Sequence, residues 1–404
     1  MYIKRALEAI IQEVSDSFPV LLVTGPRQVG KTRILEKLAS DDRKYVSLDD
    51  PNVRLLAVEE PSLFIQRYQP PIIIDEIQYA PNLLPYIKMY VDKHKRMGDF
   101  WLTGSQMFHM MKSVSESLAG RVGIIPMQGL SSSELNHVSN EAYTTDTERL
   151  MRRLSDVHKM SLNEVYELIY KGSMPAIHAS KQNIERYYAS YVERYINRDI
   201  KDLTQVVDEL QFLRFLTACA ARTSQMVNYS ELAKAVGISS PTAKAWLSLL
   251  VTSGIVVLIE PYYNNTLKRI VKSPNMYFMD TGLCAYLTRW TSSETLEVSA
   301  MSGAFFETFV VSEVIKSYLN AGRRPPVYYY RDSDQKEIDL IIEENGELQA
   351  IEIKKSSNPK KSAGKHFSVL SKTGMPLKSG NVICMSDDLM PLTQDVWLVP
   401  VWLI

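Results

Sequence analysis

Short apolar runs, most of them closed by a glycine or an acid, recur through the first third of the chain. PVLLVTG (19–25), YVSLDD (45–50), PIIIDE (71–76), DFWLTGS (99–105) and VGIIPM (122–127) have the length and boundaries of buried strands. The stretches between them are long enough for helices, so the spacing predicts a parallel sheet flanked by helices. After about residue 136 the strands stop. A polar stretch, EAYTTDTERLMRRLSD, leads into helical periodicity ending in RYYASYVERYINRDIKDL. From about 205 the pattern becomes helix–turn–helix in YSELAKAVGISSPTAKAWLSLL, with Gly237 at the turn and Ser239 and Ser240 as caps before Pro241. Apolar IVVLIEPYY follows as strand. The last block opens with a long helix and continues as the strands PVYYY, EIDLIIEE, ELQAIEIKK and GNVICM. The expected division is therefore 1–135, 136–204, 205–290 and 291–404.

Composition removes some function classes. Of 404 residues, 45% are apolar and 23% charged, as in an ordinary globular protein. Lys+Arg and Asp+Glu both number 46, so a polyanion partner would need a local patch rather than a global field. Cys219, Cys284 and Cys384 lack metal-ligand spacing and suit a reducing compartment. The start, MYIKRALEAIIQEV, carries acids within its apolar stretch and reads as an amphipathic helix, not a signal peptide. No apolar run approaches the ~20 residues of a membrane span. The expectation is a cytoplasmic protein with no membrane partner.

The most specific chemistry lies at Gly25-Pro26-Arg27-Gln28-Val29-Gly30-Lys31-Thr32, with Arg33 following in the helix. This is the phosphate-loop pattern in its required setting, after a strand and at a helix start. Its glycines let backbone N–H groups wrap phosphates, and the helix N-terminus adds positive potential. Lys31 is expected at the β- and γ-phosphates and Thr32 on Mg²⁺, so ATP and Mg²⁺ are the expected cofactors. Asp75 and Glu76 end the apolar strand III-D-E. Asp75 suits a water-mediated hold on Mg²⁺, and Glu76 the general base for the attacking water. Ser105, at the end of LTGS, is the candidate γ-phosphate sensor, although hydroxyls at strand ends are common. Arg121 is either a finger acting on a neighbouring subunit's nucleotide or a solvated arginine before a strand.

The later blocks carry weaker signals. The second helix of the helix–turn–helix offers only Lys244 as a reader of bases, so the module either binds DNA or packs between domains. In the last block Asp339 lies in KEIDLII, and Glu352 and Lys354 follow in QAIEIKK, with Glu352 thirteen residues after Asp339. Strand alternation puts Glu352 and Lys354 on one face, and Glu307 on the preceding helix is a fourth group. Together they form a candidate metal-dependent phosphodiester-cleaving site. Lys354, Lys355, Lys360, Lys361, Lys365, Lys372 and Lys378 follow one another with no acid before Asp387, either a phosphate-backbone track or a solvated face.

Taken in order, GPRQVGKT, IIIDEIQ, LTGSQ, SLAGR, KGSMPAI, YINRDIKDL and YFMDTGLCAYL resemble a widespread prokaryotic AAA+ ATPase family. The resemblance covers nearly the whole chain. It implies an α/β fold with a P-loop AAA+ parallel-sheet core, a helical lid, a winged helix and a C-terminal PD-(D/E)xK nuclease-like domain. It also implies that Lys31 and Thr32 serve phosphate and Mg²⁺, Asp75 the metal and Glu76 the water. Glu307, Asp339, Glu352 and Lys354 would stand at the nuclease-like site. Ser173 departs from the lid pattern, where a second glycine is frequent, with little expected effect. Two function classes remain. One is an ATPase that assembles as a homo-oligomer (a hexamer is one form) and remodels, translocates on or cuts DNA, branched DNA included. The other is an ATP-dependent switch whose nuclease-like domain only docks protein partners.

Overall fold

The computed structural model describes residues 2–104, 114, 116–180, 182–195, 209–263, 273–332 and 334–404. Its contacts divide into two compact units, Tyr2–Gly129 with Thr252–Gly254, and Leu130–Val251 with Ile255–Ile404. Ser105 and the greater part of YINRDIKDL lie outside the described residues.

In the first unit, helix α1 (Glu8–Ser17) precedes strand β1 (Val20–Thr24), which leads through the glycine loop into α2 (Lys31–Leu38). Next come β2 (Lys44–Ser47), α3 (Pro51–Glu59), α4 (Pro61–Arg67), β3 (Ile72–Asp75), α5 (Leu83–His94), β4 (Phe100–Gly104) and β5 (Val122–Pro126). The five strands pair in parallel in the order β2-β3-β4-β1-β5. Every residue of β1, β3 and β4 is buried, which explains why these runs are apolar throughout instead of alternating. Because β4 lies between β1 and β3, a side chain near its end stands between the glycine loop and Asp75.

The second unit begins with short helices and continues with α6 (Leu162–Lys171), α7 (Ile184–Arg194) and α8 (Glu209–Ala220). Strand β6 (Gln225–Met226), α9 (Tyr229–Val236), α10 (Ser240–Thr252), β7 (Val256–Ile259) and β8 (Asn275–Phe278) form the helix–turn–helix segment and a three-stranded sheet ordered β6-β8-β7. Gly237 ends α9 at φ 76°, the left-handed conformation that favours glycine. Ser239 alone does the expected capping, its Oγ accepting from the Thr242 N–H at 3.2 Å, while Ser240 is already the first helical residue.

After α11 (Thr281–Leu287), the 19-residue α12 (Ser302–Asn320) is buried on almost every side. It packs on the six-stranded sheet formed by β9 (Val327–Arg331), β10 (Glu337–Glu344), β11 (Glu347–Lys354), β12 (Gly380–Cys384), β13 (Met390–Pro391) and β14 (Val396–Pro400). The order is β13-β14-β12-β11-β10-β9, parallel from β11 through β12 to β14 and antiparallel elsewhere. Asn345 and Gly346 close the β10–β11 hairpin at φ 53° and 78°, the turn an Asn-Gly pair favours, and so fix its register. Cys219, Cys284 and Cys384 are free and buried. Among the described residues no helix is long and apolar enough to cross a membrane.

A buried carboxylate joins three segments of this unit. Asp280 caps α11 by accepting from the Leu283 N–H at 2.6 Å, and it takes the Tyr188 hydroxyl of α7 at 2.8 Å. It also accepts both the N–H and the hydroxyl of Ser173 at 2.7 Å. Ser173 is therefore not the neutral departure expected from the sequence, since a glycine there would leave Asp280 one donor short. Gly172 beside it has φ +73°, and a Cβ would lie 2.3 Å from the Tyr188 hydroxyl. Asp280→Ala would leave several buried donors without an acceptor. It should lower the unfolding free energy of this unit by about 3 kcal/mol or more. A shift in the urea midpoint of the full chain checks this, with Ser173→Gly giving a smaller shift in the same direction.

Candidate functional site

The glycine loop is held from both sides. Gly25 has φ +144°, and a Cβ there would fall 1.9 Å from the Met127 carbonyl oxygen, so only glycine lets the chain turn against the segment after β5. The buried Arg5 guanidinium donates to the carbonyls of Val29 at 2.7 Å and Gln128 at 2.8 Å, tying the loop to that segment. No sequence pattern marks Arg5, whose role comes from chain reversal. Gly30, at φ 98°, leads into α2, whose first turn has no side-chain cap, so its N–H groups face the loop. Lys31 is buried and its ammonium donates to the Gly25 and Pro26 carbonyls at 3.0 and 2.8 Å. Pro26 and Val29 are buried, while Gln28 and Arg33 are exposed.

Asp75 is where the elements meet. Its Oδ1 accepts from the Thr32 hydroxyl at 2.8 Å and from the Thr103 hydroxyl at 2.5 Å, and its Oδ2 from the Tyr45 hydroxyl at 3.0 Å. Thr103 also accepts from the Glu76 N–H at 3.1 Å, so one β4 hydroxyl connects both acids. The threonine of LTGS is thus the hydroxyl that reaches the acids. The expected sensor, Ser105, lies outside the described residues.

Glu76 adopts φ 59° and ψ 47°, a left-handed conformation costing a non-glycine residue about 1–2 kcal/mol. Strain of this kind concentrates at functional positions. Gln78 Nε2 donates to Glu76 Oε2 at 2.5 Å and steadies the carboxylate. Oxygen donors at Thr32 and Asp75 beside an uncapped helix start fit a nucleotide with a hard divalent cation. Arg121 is half-buried and makes two bonds to Asp92 of α5, at 2.5 and 3.0 Å.

In the second unit, the four predicted residues of the last block come together in part. Asp339 and Glu352 lie one step beyond the Leu340–Ile351 pair of the β10–β11 register, directly across the strands. Lys354 Nζ is 2.7 Å from Glu352 and 3.6 Å from Asp339, and the Ile353 N–H donates to Asp339 at 2.7 Å. Glu307, from α12, accepts instead from the Tyr277 hydroxyl of β8 at 2.8 Å. Tyr277 was not foreseen, because nothing in its local sequence points toward a residue thirty positions away.

Burial, then the charge of Asp339, pushes the Glu307 carboxyl up to about 8, and the same two causes push Glu352 up to about 7. Burial also raises Asp339, against the pull of Lys354. Glu352 Oε2 is buried without a hydrogen-bond partner. Among the described residues, however, no group of three or more His, Cys, Asp or Glu is arranged to hold a metal ion. The Lys354 ammonium is the cation that Asp339 and Glu352 share. The uninterrupted lysine run is also less basic than it reads. Lys355 donates to the Glu297 carbonyl at 2.5 Å and pairs with its carboxylate, and Lys378 pairs with Asp146 at 3.1 Å.

Lys31→Ala should abolish ATP turnover and weaken nucleotide binding, measured by phosphate release and by binding of a fluorescent nucleotide; parent-like hydrolysis would contradict the site. The acid cluster should make stability depend on pH. Glu307 and Glu352 hold protons in the folded chain that the unfolded chain has released. Their contribution to stability is therefore complete below the ordinary carboxylate value of about 4.5 and is lost as pH rises through about 7 and about 8. Metal-free urea midpoints should fall over this window, and Glu307→Gln should flatten the fall.

The first site falls within a stretch that matches a known domain family. Residues 17–136 match an AAA domain, while 162–294 and 302–404 match two domains of unknown function (DUF8612 and DUF4143). The chain is 27% identical over 401 residues to the uncharacterized proteins Rv2008c of Mycobacterium tuberculosis and Mb2031c of Mycobacterium bovis, covering 98% of this chain and 83% of each. Among solved structures it is similar to a Walker-type ATPase of Pyrococcus abyssi, at 14% identity and a TM-score of 0.43, over 71% of this chain and 96% of that one. A phosphate loop following an inner strand of a parallel α/β sheet, within a matched AAA domain, makes this chain a P-loop ATPase.

Proposed function

We propose that the chain hydrolyses ATP in order to act on DNA, working as a homo-oligomer. Lys31 and the loop N–H groups bind the β- and γ-phosphates. Thr32 and Asp75 would hold Mg²⁺, Asp75 through water. When bound, Mg²⁺ neutralises charge on the transferring phosphate. Glu76 accepts the proton of the attacking water, its carboxylate steadied by Gln78 and its backbone by Thr103. Arg121 acts across a subunit boundary in this reading. Its pair with Asp92 is exposed and therefore readily exchanged.

The observation that supports a nucleic-acid target is the meeting of Asp339, Glu352 and Lys354 across one hairpin, with an unpartnered carboxylate oxygen on Glu352. Two carboxylates and a lysine can hold a hard cation and stabilise charge developing on a phosphate once the ammonium swings aside. Glu307 of α12, whose carboxyl is raised by burial and then by the charge of Asp339, is a fourth group in this proposal. The helix–turn–helix of α9 and α10 and the exposed Lys360, Lys361, Lys365 and Lys372 supply a surface for the phosphate backbone in this proposal. A second reading, an ATP-dependent switch that docks protein partners, is favoured by the internal pairing of Lys355 and Lys378 and by Lys354 standing where a metal would bind.

Salt dependence separates the two readings. DNA binding should weaken steeply with salt, with a log–log slope of about one per phosphate contacted. Flat or absent binding to duplex, single-stranded and branched DNA favours the switch. If the hairpin site cuts, Asp339→Ala removes Mg²⁺- or Mn²⁺-dependent nicking of a plasmid and leaves ATP turnover unchanged. Nicking that survives this change belongs to another protein or another site.

A further inference from the structure

The third partner of Asp75 is a phenol from the edge strand β2. In the parallel pairing of β2 with β3, Tyr45 lies opposite Ile73 and Ser47 opposite Asp75. Tyr45 and Asp75 therefore occupy one face of the sheet, offset by two residues, a gap that a phenol spans and a serine does not. The Tyr45 hydroxyl donates to Asp75 Oδ2 at 3.0 Å, whereas Thr32 and Thr103 both converge on Oδ1. Two donors on one oxygen pin the carboxylate at a single atom. They leave rotation about the Cβ–Cγ bond soft, as that torsion is in aspartate generally. A donor on the second oxygen fixes the plane. Tyr45 sits on the edge strand and is 45% exposed, so its ring contributes little to the core, and the hydroxyl bond is its main tie to the site.

We propose that Tyr45 is a positioning residue of the ATPase, whose hydroxyl sets the plane of the Asp75 carboxylate so that it meets a Mg²⁺-bound water in the right orientation. This rests on the reading that Asp75 holds Mg²⁺ through water. Outer partners of this kind orient the groups that hold a metal and tune its affinity.

The test compares the full-length parent with Tyr45→Phe, Asp75→Asn and the double variant. Binding of a fluorescent ADP is followed without turnover from EDTA through millimolar Mg²⁺, and ATP turnover is measured over the same range. Tyr45→Phe should raise the Mg²⁺ concentration for half-maximal nucleotide binding by about tenfold. Its affinity in EDTA and its kcat at saturating Mg²⁺ should stay within about twofold of the parent, and its melting temperature should be unchanged. Asp75→Asn should shift the Mg²⁺ midpoint further, and adding Tyr45→Phe to it should change nothing more, because the two act as one unit. Parent-like Mg²⁺ dependence in Tyr45→Phe alongside a shifted Asp75→Asn overturns the role of Tyr45 alone. An unshifted Asp75→Asn overturns the Mg²⁺ reading and this inference with it. A lower kcat at every Mg²⁺ concentration with an unmoved midpoint also overturns the inference.

Discussion

A carboxylate at the end of a fully buried strand cannot be left without donors, and the nucleotide-binding unit is arranged around that need at Asp75. Its backbone belongs to β3, its donors to β2, β4 and the start of α2. Each donor is a hydroxyl, which satisfies the charge without neutralising it. Were a lysine or arginine to take that place, the carboxylate would already have its counter-charge and would offer less to a cation. The strand order makes the arrangement available, since β4 lies between β1 and β3 and carries Thr103 to the gap.

Asp280 meets the same need in the second unit for a different end. It accepts from Ser173, Tyr188 and Leu283, all buried or part-buried, and so joins α7 and α11 to the segment just after α6. A buried carboxylate satisfied by several short bonds fixes geometry well and is costly to disturb. Gly172 and Gly282 make room for it, because a Cβ at either position would meet the Tyr188 hydroxyl within 2.4 Å.

The acids around Lys354 contrast with both. Asp75 and Asp280 have a full set of donors, whereas Glu352 keeps a buried oxygen without a partner, and Glu307, Asp339 and Glu352 are all driven toward their protonated forms by burial. Such a cluster is electrostatically unfinished. It costs stability in the resting chain, and a cation or a proton relieves it. Groups perturbed in this way cluster at functional sites.

Much of this was legible in the sequence, and the legible part was local. GPRQVGKT fixes a phosphate loop because glycine spacing, a preceding apolar strand and a helix start are contiguous. The pair Asp75-Glu76 follows from an apolar run ending in acids, and the runs EIDLIIEE and ELQAIEIKK announce the strands that carry Asp339 and Glu352. Contacts between distant segments were left to the tertiary structure. Parallel register, not any motif, brings Tyr45 to Asp75 and selects Thr103 as the hydroxyl in reach. Chain reversal places Arg5 under the loop, and folding brings Glu297 and Asp146 to lysines that read as an unbroken basic run. Sequence encodes backbone conformation through neighbours a few positions apart, but a buried charge takes its partners from whatever the packed elements bring within about 3 Å of it.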